Sequence, residues 1–288
     1  MIHLSKQVSQ CRHRETSEIL ICLYWKIPTL IFAYVLGFAS ILGITAGAHR
    51  LWSHKAYKAK TPLQVLLVFF FLLSGQRSIL TWVENHRIHH KYSDTDADPH
   101  NATRGFFFST LGWLAVEPHP EVMKQRKLTD LSDLLQIPAV KFQHEYVEIL
   151  ITLVALIFPT YIPTFWGESL YVSFFVNYFR LLVVLTISGF INSIAHLWGN
   201  KPIDKTAVGT QFTFIGALAL GEGFHNYHHV FPYDYRTSEV LDTKYNFTAV
   251  FIDLMAKIGW AYDLKEVPEE TVRSRVLKKG DGSDKYYL

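Results

Sequence analysis

Apolar residues crowd four stretches of this chain, at about 27–47, 62–82, 147–166 and 170–192, and polar positions fill the rest. The first, from Ile27 to Gly47, carries no charge over roughly 20 positions, which is what a helix needs to cross a bilayer core of about 30 Å. The last two are joined by the short turn Gly167-Glu168-Ser169, so they predict a helical hairpin crossing twice. The remaining stretch is ambiguous, because Phe69-Phe70-Phe71-Leu72-Leu73 runs straight into Ser74-Gly75-Gln76-Arg77-Ser78. An all-α membrane bundle with a sizeable aqueous cap follows from this pattern.

Composition narrows the picture. Of 288 residues, 49% are apolar and 15% aromatic, and the mean hydropathy just above zero fits membrane segments sharing the chain with an aqueous part. Cys11 and Cys22, the only cysteines, lie upstream of every histidine cluster and supply no thiolate metal site. A net charge of +3 without a dense basic run, and the absence of any nucleic-acid motif, speak against a nucleic-acid partner. The first eighteen residues are polar and lack a cleavage site after a short apolar core, so no signal peptide is expected.

Eight of the fourteen histidines fall in three clusters: His49 and His54; His86, His89 and His90; His225, His228 and His229. If they serve one metal centre they lie on one side of the membrane. A single crossing between His54 and His86 is then excluded, and residues 62–82 are expected to form an interfacial or re-entrant helix with Arg77 at its wet end. The double crossing over 147–192 returns the third cluster to the same side. Lys and Arg are plentiful in 48–61 and 84–145, whereas the 167–169 turn has one Glu and no cation, so the histidine side is expected to be cytosolic. The glycosylation patterns at Asn101 and Asn246 would then face the cytosol and stay unmodified. Arg180 sits within an apolar stretch, where a charge costs about 2.5–3.5 kcal/mol on insertion scales. A polar partner inside the bundle is the expected reason, and a contact near a substrate channel the alternative. The polar tail after Pro268 is expected to be mobile.

On a helix, residues three and four apart share a face, so His86 can act with His89 or His90, and His225 with His228 or His229. Neighbouring histidines diverge by about 100°, so each cluster can feed two metals. His49 and His54 are five apart, a poor match to one α-helical face, which suits ligands aimed at separate ions. Asn192 and His196 are four apart at the end of the last apolar stretch. His196 would be a ninth ligand, and Asn192 could hold a metal-bound water. Nine imidazoles shared by two ions leave four or five each. Structural zinc, or a set of surface histidines, is the plainer reading; zinc favours four ligands, often with cysteine, and does no redox work. An iron pair beside a bilayer could activate oxygen and attack a hydrocarbon.

The stretches Gly43–His54, His86–Asn101, Arg104–Ser109, Asn192–His196, Gly221–His229 and Phe231–Tyr235, with Phe251-Ile252-Asp253 and Gly259–Asp263, resemble the signature of the animal membrane acyl-CoA desaturases of the stearoyl-CoA, delta-9 type. The resemblance covers about residues 30–265. It implies a four-helix membrane bundle under a cytosolic helical cap, and an endoplasmic-reticulum enzyme. That enzyme would insert a cis double bond into a fatty acyl-CoA, using oxygen and electrons from cytochrome b5 with its NADH-dependent reductase. Two Fe ions would be held by His49, His54, His86, His89, His90, His196, His225, His228 and His229, with Asn192 acting through water. Trp113 would line or border the acyl tunnel. A fatty-acyl hydroxylase or conjugase, or a catalytically silent scaffold, are the alternatives.

Two departures from the family pattern stand out. Only Ile19–Trp25 could stand in for the family's first membrane helix, so within the N-terminal segment 1–26 residues 17–26 are expected to be a short remnant that turns back, or the chain a truncated product. Glu84-Asn85 and Glu117-Pro118 replace pairs that carry cations for the CoA phosphates. The membrane domain is placed at 27–265 and the polar tail at 266–288.

Overall fold

The computed structural model describes residues 25–238 and 246–287, and nearly every regular element among them is helical. Helix α1 spans Ile27–Ser53, followed by α2 (Thr61–Leu73), α3 (Ile79–Tyr92), α4 (Phe106–Thr110), α5 (Pro120–Leu128), α6 (Ser132–Leu135) and α7 (Pro138–Glu145). Then come α8 (Val147–Trp166), α9 (Leu170–Leu197), α10 (Thr213–Leu218), α11 (His225–Val230), α12 (Phe247–Lys257) and α13 (Glu269–Lys279). Two two-residue strands, β1 (Lys58–Ala59) and β2 (Ala261–Tyr262), pair antiparallel.

Among the described residues, α1, α8 and α9 are long and apolar enough to cross a membrane. The 27 residues of α1 and the 28 of α9 make each helix roughly 40 Å long, against a hydrocarbon core of about 30 Å. Each is thus longer than the core by about two turns, and their last turns carry His49, with His54 capping the helix, and His196. At the opposite end one carboxylate fastens both helices. Glu168, in the α8–α9 turn, accepts from the Lys26 backbone N–H at 3.0 Å and from Thr29 Oγ1 at 2.9 Å. The starts of α1 and α9 thus share one side, and their histidine-bearing ends share the other.

Arg180 has the packing role rather than the channel role. Its guanidinium donates to Asn177 Oδ1 (3.0 Å), Ser40 Oγ (3.0 Å) and the Leu73 carbonyl (2.8 Å), tying α9 to α1 and to the end of α2.

The 62–82 stretch is not one helix. The chain leaves α2 at Leu73, turns through Ser74 and Gly75, where φ is +69°, and restarts at Ile79 with Ser78 capping α3. The Ser-Gly-Gln-Arg-Ser run breaks the helix because serine competes for backbone groups and glycine supplies the left-handed turn. Arg77 is exposed at that break. Helix α2 crosses α1 so closely at Gly43 that a Cβ there would clash with the Phe71 backbone nitrogen.

The stretch after Pro268 is also folded rather than a mobile tail. Val272 and Val276 of α13 are buried with Ile203, Phe224, Tyr227 and Phe231, and Arg275 pairs with Asp204 at 2.7 Å. An apolar i,i+4 pair within a charged segment is enough to dock a helix that composition alone marks as solvated. The readings made of residues 17–24, and of Cys11 and Cys22, lie outside the described residues. Asn101 and Asn246 are buried and cap a short 3₁₀ turn and α12 respectively.

Candidate metal centre

The C-terminal ends of α1 and α9 meet α3 and α11, and nine histidine side chains converge there. His49, His54, His86, His90 and His228 form one group, and His89, His196, His225 and His229 a second; within each, the candidate ligand atoms all lie within 4.8 Å of one another. Both α3 and α11 contribute to both groups, as the three- and four-residue spacings require.

The His49–His54 pair departs from expectation. Both belong to the first group, because Gly43–Ser53 winds as a π-helix and the His54 N–H bonds back to the His49 carbonyl at 3.2 Å. With i→i+5 hydrogen bonding, residues five apart stack on one face. The α-helical rule that sent them to separate ions does not hold in this segment.

The nitrogen spacing bears on what the groups can hold. His49 Nε2 and His90 Nε2 are each 2.9 Å from His228 Nε2, His54 Nε2 is 2.8 Å from His86 Nε2, and His196 and His229 Nε2 are each 2.9 Å from His225 Nε2. Metal–imidazole bonds of about 2.0–2.1 Å at right angles separate neighbouring nitrogens by roughly 2.9 Å, whereas a tetrahedral angle gives about 3.3 Å. The spacing is that of imidazoles able to share one ion, and such nitrogen donors suit iron, copper, nickel and zinc.

Carboxylates orient the rings, and these partners were missed in the sequence. His49 Nδ1 lies 2.9 Å from Glu222, His89 Nδ1 2.8 Å from Asp98, and His196 Nδ1 3.2 Å from Asp94. Each ring then donates through Nδ1–H and turns the Nε2 lone pair toward the centre. Glu222 also accepts from the fully buried Arg50 at 2.8 Å. Burial alone would raise the Glu222 pKa, but Arg50 and His49 bring it down to about 2. His54, His86, His89, His90, His225, His228 and His229 are all held well below the usual histidine range, first by burial and then by the neighbouring histidines, His49, His100 and His196 among them. They present neutral imidazoles, the form that ligates. Nothing in the local spacing marked Asp94, Asp98 or Glu222 as special, although they fall inside the recognised stretches. His100, also unflagged, stands beyond Asp98 with its Nδ1 3.4 Å from Oδ1.

A cavity of about 1330 Å³ adjoins the first group. His86 and Asn192 line it, as does Trp113, together with apolar Leu156, Leu181 and Leu185 of α8 and α9. Asn192 thus sits on the cavity wall one turn before His196. Trp82 stacks on His86 at 5.0 Å and donates from its indole N–H to Gln76 at 3.1 Å. Arg77, Arg104 and Arg126 are also on the wall. Arg126 donates to Asn85 Oδ1 at 2.9 Å and lies 3.7 Å from Glu84, so the acidic replacement at 84 has a cation beside it.

The fatty acid desaturase family model matches residues 25–239. An acyl-CoA Δ11 desaturase of Trichoplusia ni is 51% identical over 259 residues, 90% of this chain and 74% of that protein. A (11Z)-hexadec-11-enoyl-CoA conjugase of Bombyx mori is 51% identical over 261 residues, 90% and 79% respectively. Stearoyl-CoA desaturase 5 of Bos taurus is 46% identical over 257 residues, 88% and 76%. With a family match over most of its length and relatives of this similarity, the chain belongs to the fatty acid desaturase family.

Proposed function

We propose that this chain is an acyl-CoA desaturase that inserts a cis double bond into a saturated acyl chain held in the cavity. The observation that carries this reading is the contact between the cavity and the first histidine group: His86 both lines the cavity and belongs to that group. The cavity exceeds the roughly 300–1,000 Å³ of an ordinary small-molecule site, in keeping with a long chain plus part of its carrier.

His49, His54, His86, His90 and His228 would hold one iron, and His89, His196, His225 and His229 the other, with Asn192 positioning a water. Bound as a pair, iron supplies the oxygen activation and hydrogen abstraction that acid–base side chains lack. The chain's own residues do the rest. Leu156, Leu181 and Leu185 exclude water and fix the methylenes by apolar contact. Arg126 offers positive charge to the acyl donor's phosphates, while Asp94, Asp98 and Glu222 hold the imidazoles in register. Electrons would come from cytochrome b5 and its NADH-dependent reductase, in the endoplasmic-reticulum membrane, with the histidine ends cytosolic; the cation-rich loops on that side support the orientation.

Expression in desaturase-deficient yeast, with gas chromatography of C14 to C18 products and double-bond mapping, tests the reading. New monounsaturated chains are expected, and unchanged saturated chains would defeat it. The conjugase among the relatives favours a second reading, in which the substrate already carries a double bond; dienes formed only from supplied monoenes would select it.

A further inference from the structure

We infer that α12, which follows the third histidine cluster and lies outside the three crossings, is immersed in the bilayer along its outer face. Its inward positions, Thr248, Ala249, Ile252 and Met255, are buried against the fold. The outward positions Phe247, Val250 and Leu254, with Ile258 capping the helix, are 47–54% exposed and all large and apolar, and Lys257 in the last turn is the one exposed charge. They recur at i, i+3, i+7 and i+11, a continuous stripe on one side of an α-helix. Helix α13 has the same length of 11 residues, yet its exposed positions include Glu269, Glu270, Arg273 and Lys278. The outer stripe of α12 is therefore not what an aqueous helix of this chain looks like.

Position supplies the occupant. The Phe247 ring packs edge-on against Phe38 of α1 at 6.2 Å, and Thr248 Oγ1 bonds to Thr45 Oγ1 at 2.8 Å. Phe38 stands 11 residues into α1, about 16 Å along a crossing of a core about 30 Å thick. A ring in contact with it is at hydrocarbon depth, so the stripe that begins at Phe247 faces acyl chains and climbs toward the headgroups by Lys257. Helix α10 continues the surface: its end joins α12 through the Thr248 N–H bond to the Leu220 carbonyl at 3.1 Å, and its Phe214 and Leu218 are exposed. A lipid surface is the partner this face fits, as for an interfacial helix buried ~5–10 Å into the headgroup and acyl boundary.

The test uses the full chain with Cys11 and Cys22 changed to Ser and single cysteines introduced as Val250→Cys or Leu254→Cys. Each is labelled with a small bimane fluorophore and reconstituted in phosphatidylcholine vesicles. Ile31→Cys, on the exposed face of α1, and Lys278→Cys, on α13, are the lipid and water references. Brominated acyl chains are expected to quench the labels at 250 and 254 comparably to 31, with aqueous iodide quenching only 278 strongly. Iodide quenching at 250 and 254 equal to that at 278 would overturn the inference. So would labels shielded from both quenchers, which would mean that protein, either residues 1–24 or a second copy, covers the stripe. Two sites one turn apart keep the result readable where one substitution disturbs packing.

Discussion

The two histidine groups draw on the same end of the bundle but are held differently. The first has five imidazoles from α1, α3, α11 and the residue capping α1, with one carboxylate, Glu222, steering His49. The second has four, from α3, α9 and α11, with Asp98 and Asp94 steering two of them. The group with fewer imidazoles is therefore the more firmly oriented, and Asn192 stands one helical turn from its His196. The difference teaches that ligand count and rigidity are separate variables here. On the proposed reading the first group would have a ligand in reserve, while the second would have more of its rings fixed and Asn192 to hold a water.

The sharpest way to break that comparison is to remove one histidine from each group. His225→Ala leaves three imidazoles in the second group. Product formation is expected to fall by roughly 10³-fold or more, as for residues that act as a unit, with metal content by mass spectrometry dropping from two toward one per chain. His54→Ala leaves four in the first, so the metal is retained in larger part and activity falls less. Equal metal loss in the two variants would end the distinction.

Next are the carboxylates. Asp98→Asn and Glu222→Gln are each expected to lower metal affinity or activity by about 10–100-fold. The Glu222 change should also lower thermal stability, because it strands the buried Arg50 guanidinium. Calorimetry separates the two effects; a stability loss as large for Asp98→Asn would deny Glu222 its structural share.

Acid acts on both groups together. The seven shifted histidines have folded pKa values below their unfolded value of about 6.5, so the unfolded chain binds more protons and stability rises with pH. Metal-free protein is thus expected to lose thermal midpoint as pH falls from about 7.5 to about 5.5, a window set by that unfolded value. Metal loading should flatten the curve, and a pH-independent midpoint would contradict the assignment of neutral buried rings. The smallest effect is expected for Asn192→Ala. One water-mediated contact is worth about 0.5–1.5 kcal/mol, so activity should fall roughly 2–10-fold with metal content unchanged. Loss of metal would make Asn192 a direct ligand instead.

Much of this was legible from periodicity and spacing. Apolar runs long enough to span a bilayer located α1, α8 and α9, and i,i+4 spacing on α3 and α11 predicted that each of those two clusters would divide between two groups. Legibility ended where structure depends on partners distant in sequence. Asp94, Asp98 and Glu222 are ordinary acids until the fold puts them behind His196, His89 and His49. The helix break at Ser74–Ser78 was blurred by the apolar run before it. The docking of α13 rests on Val272 and Val276, too few residues to outweigh a charged composition. The His49–His54 pairing failed for a different reason: hydropathy does not report which helix type a segment adopts.

That π-helical turn also changes how this segment should be aligned with other chains. In an ordinary helix the equivalent facing is reached with four residues instead of five, so the extra residue that sets His49 and His54 five apart is absorbed by the winding and leaves both rings in one group. A one-residue gap in a sequence comparison at this place is a change of pitch, with the chemistry kept in frame.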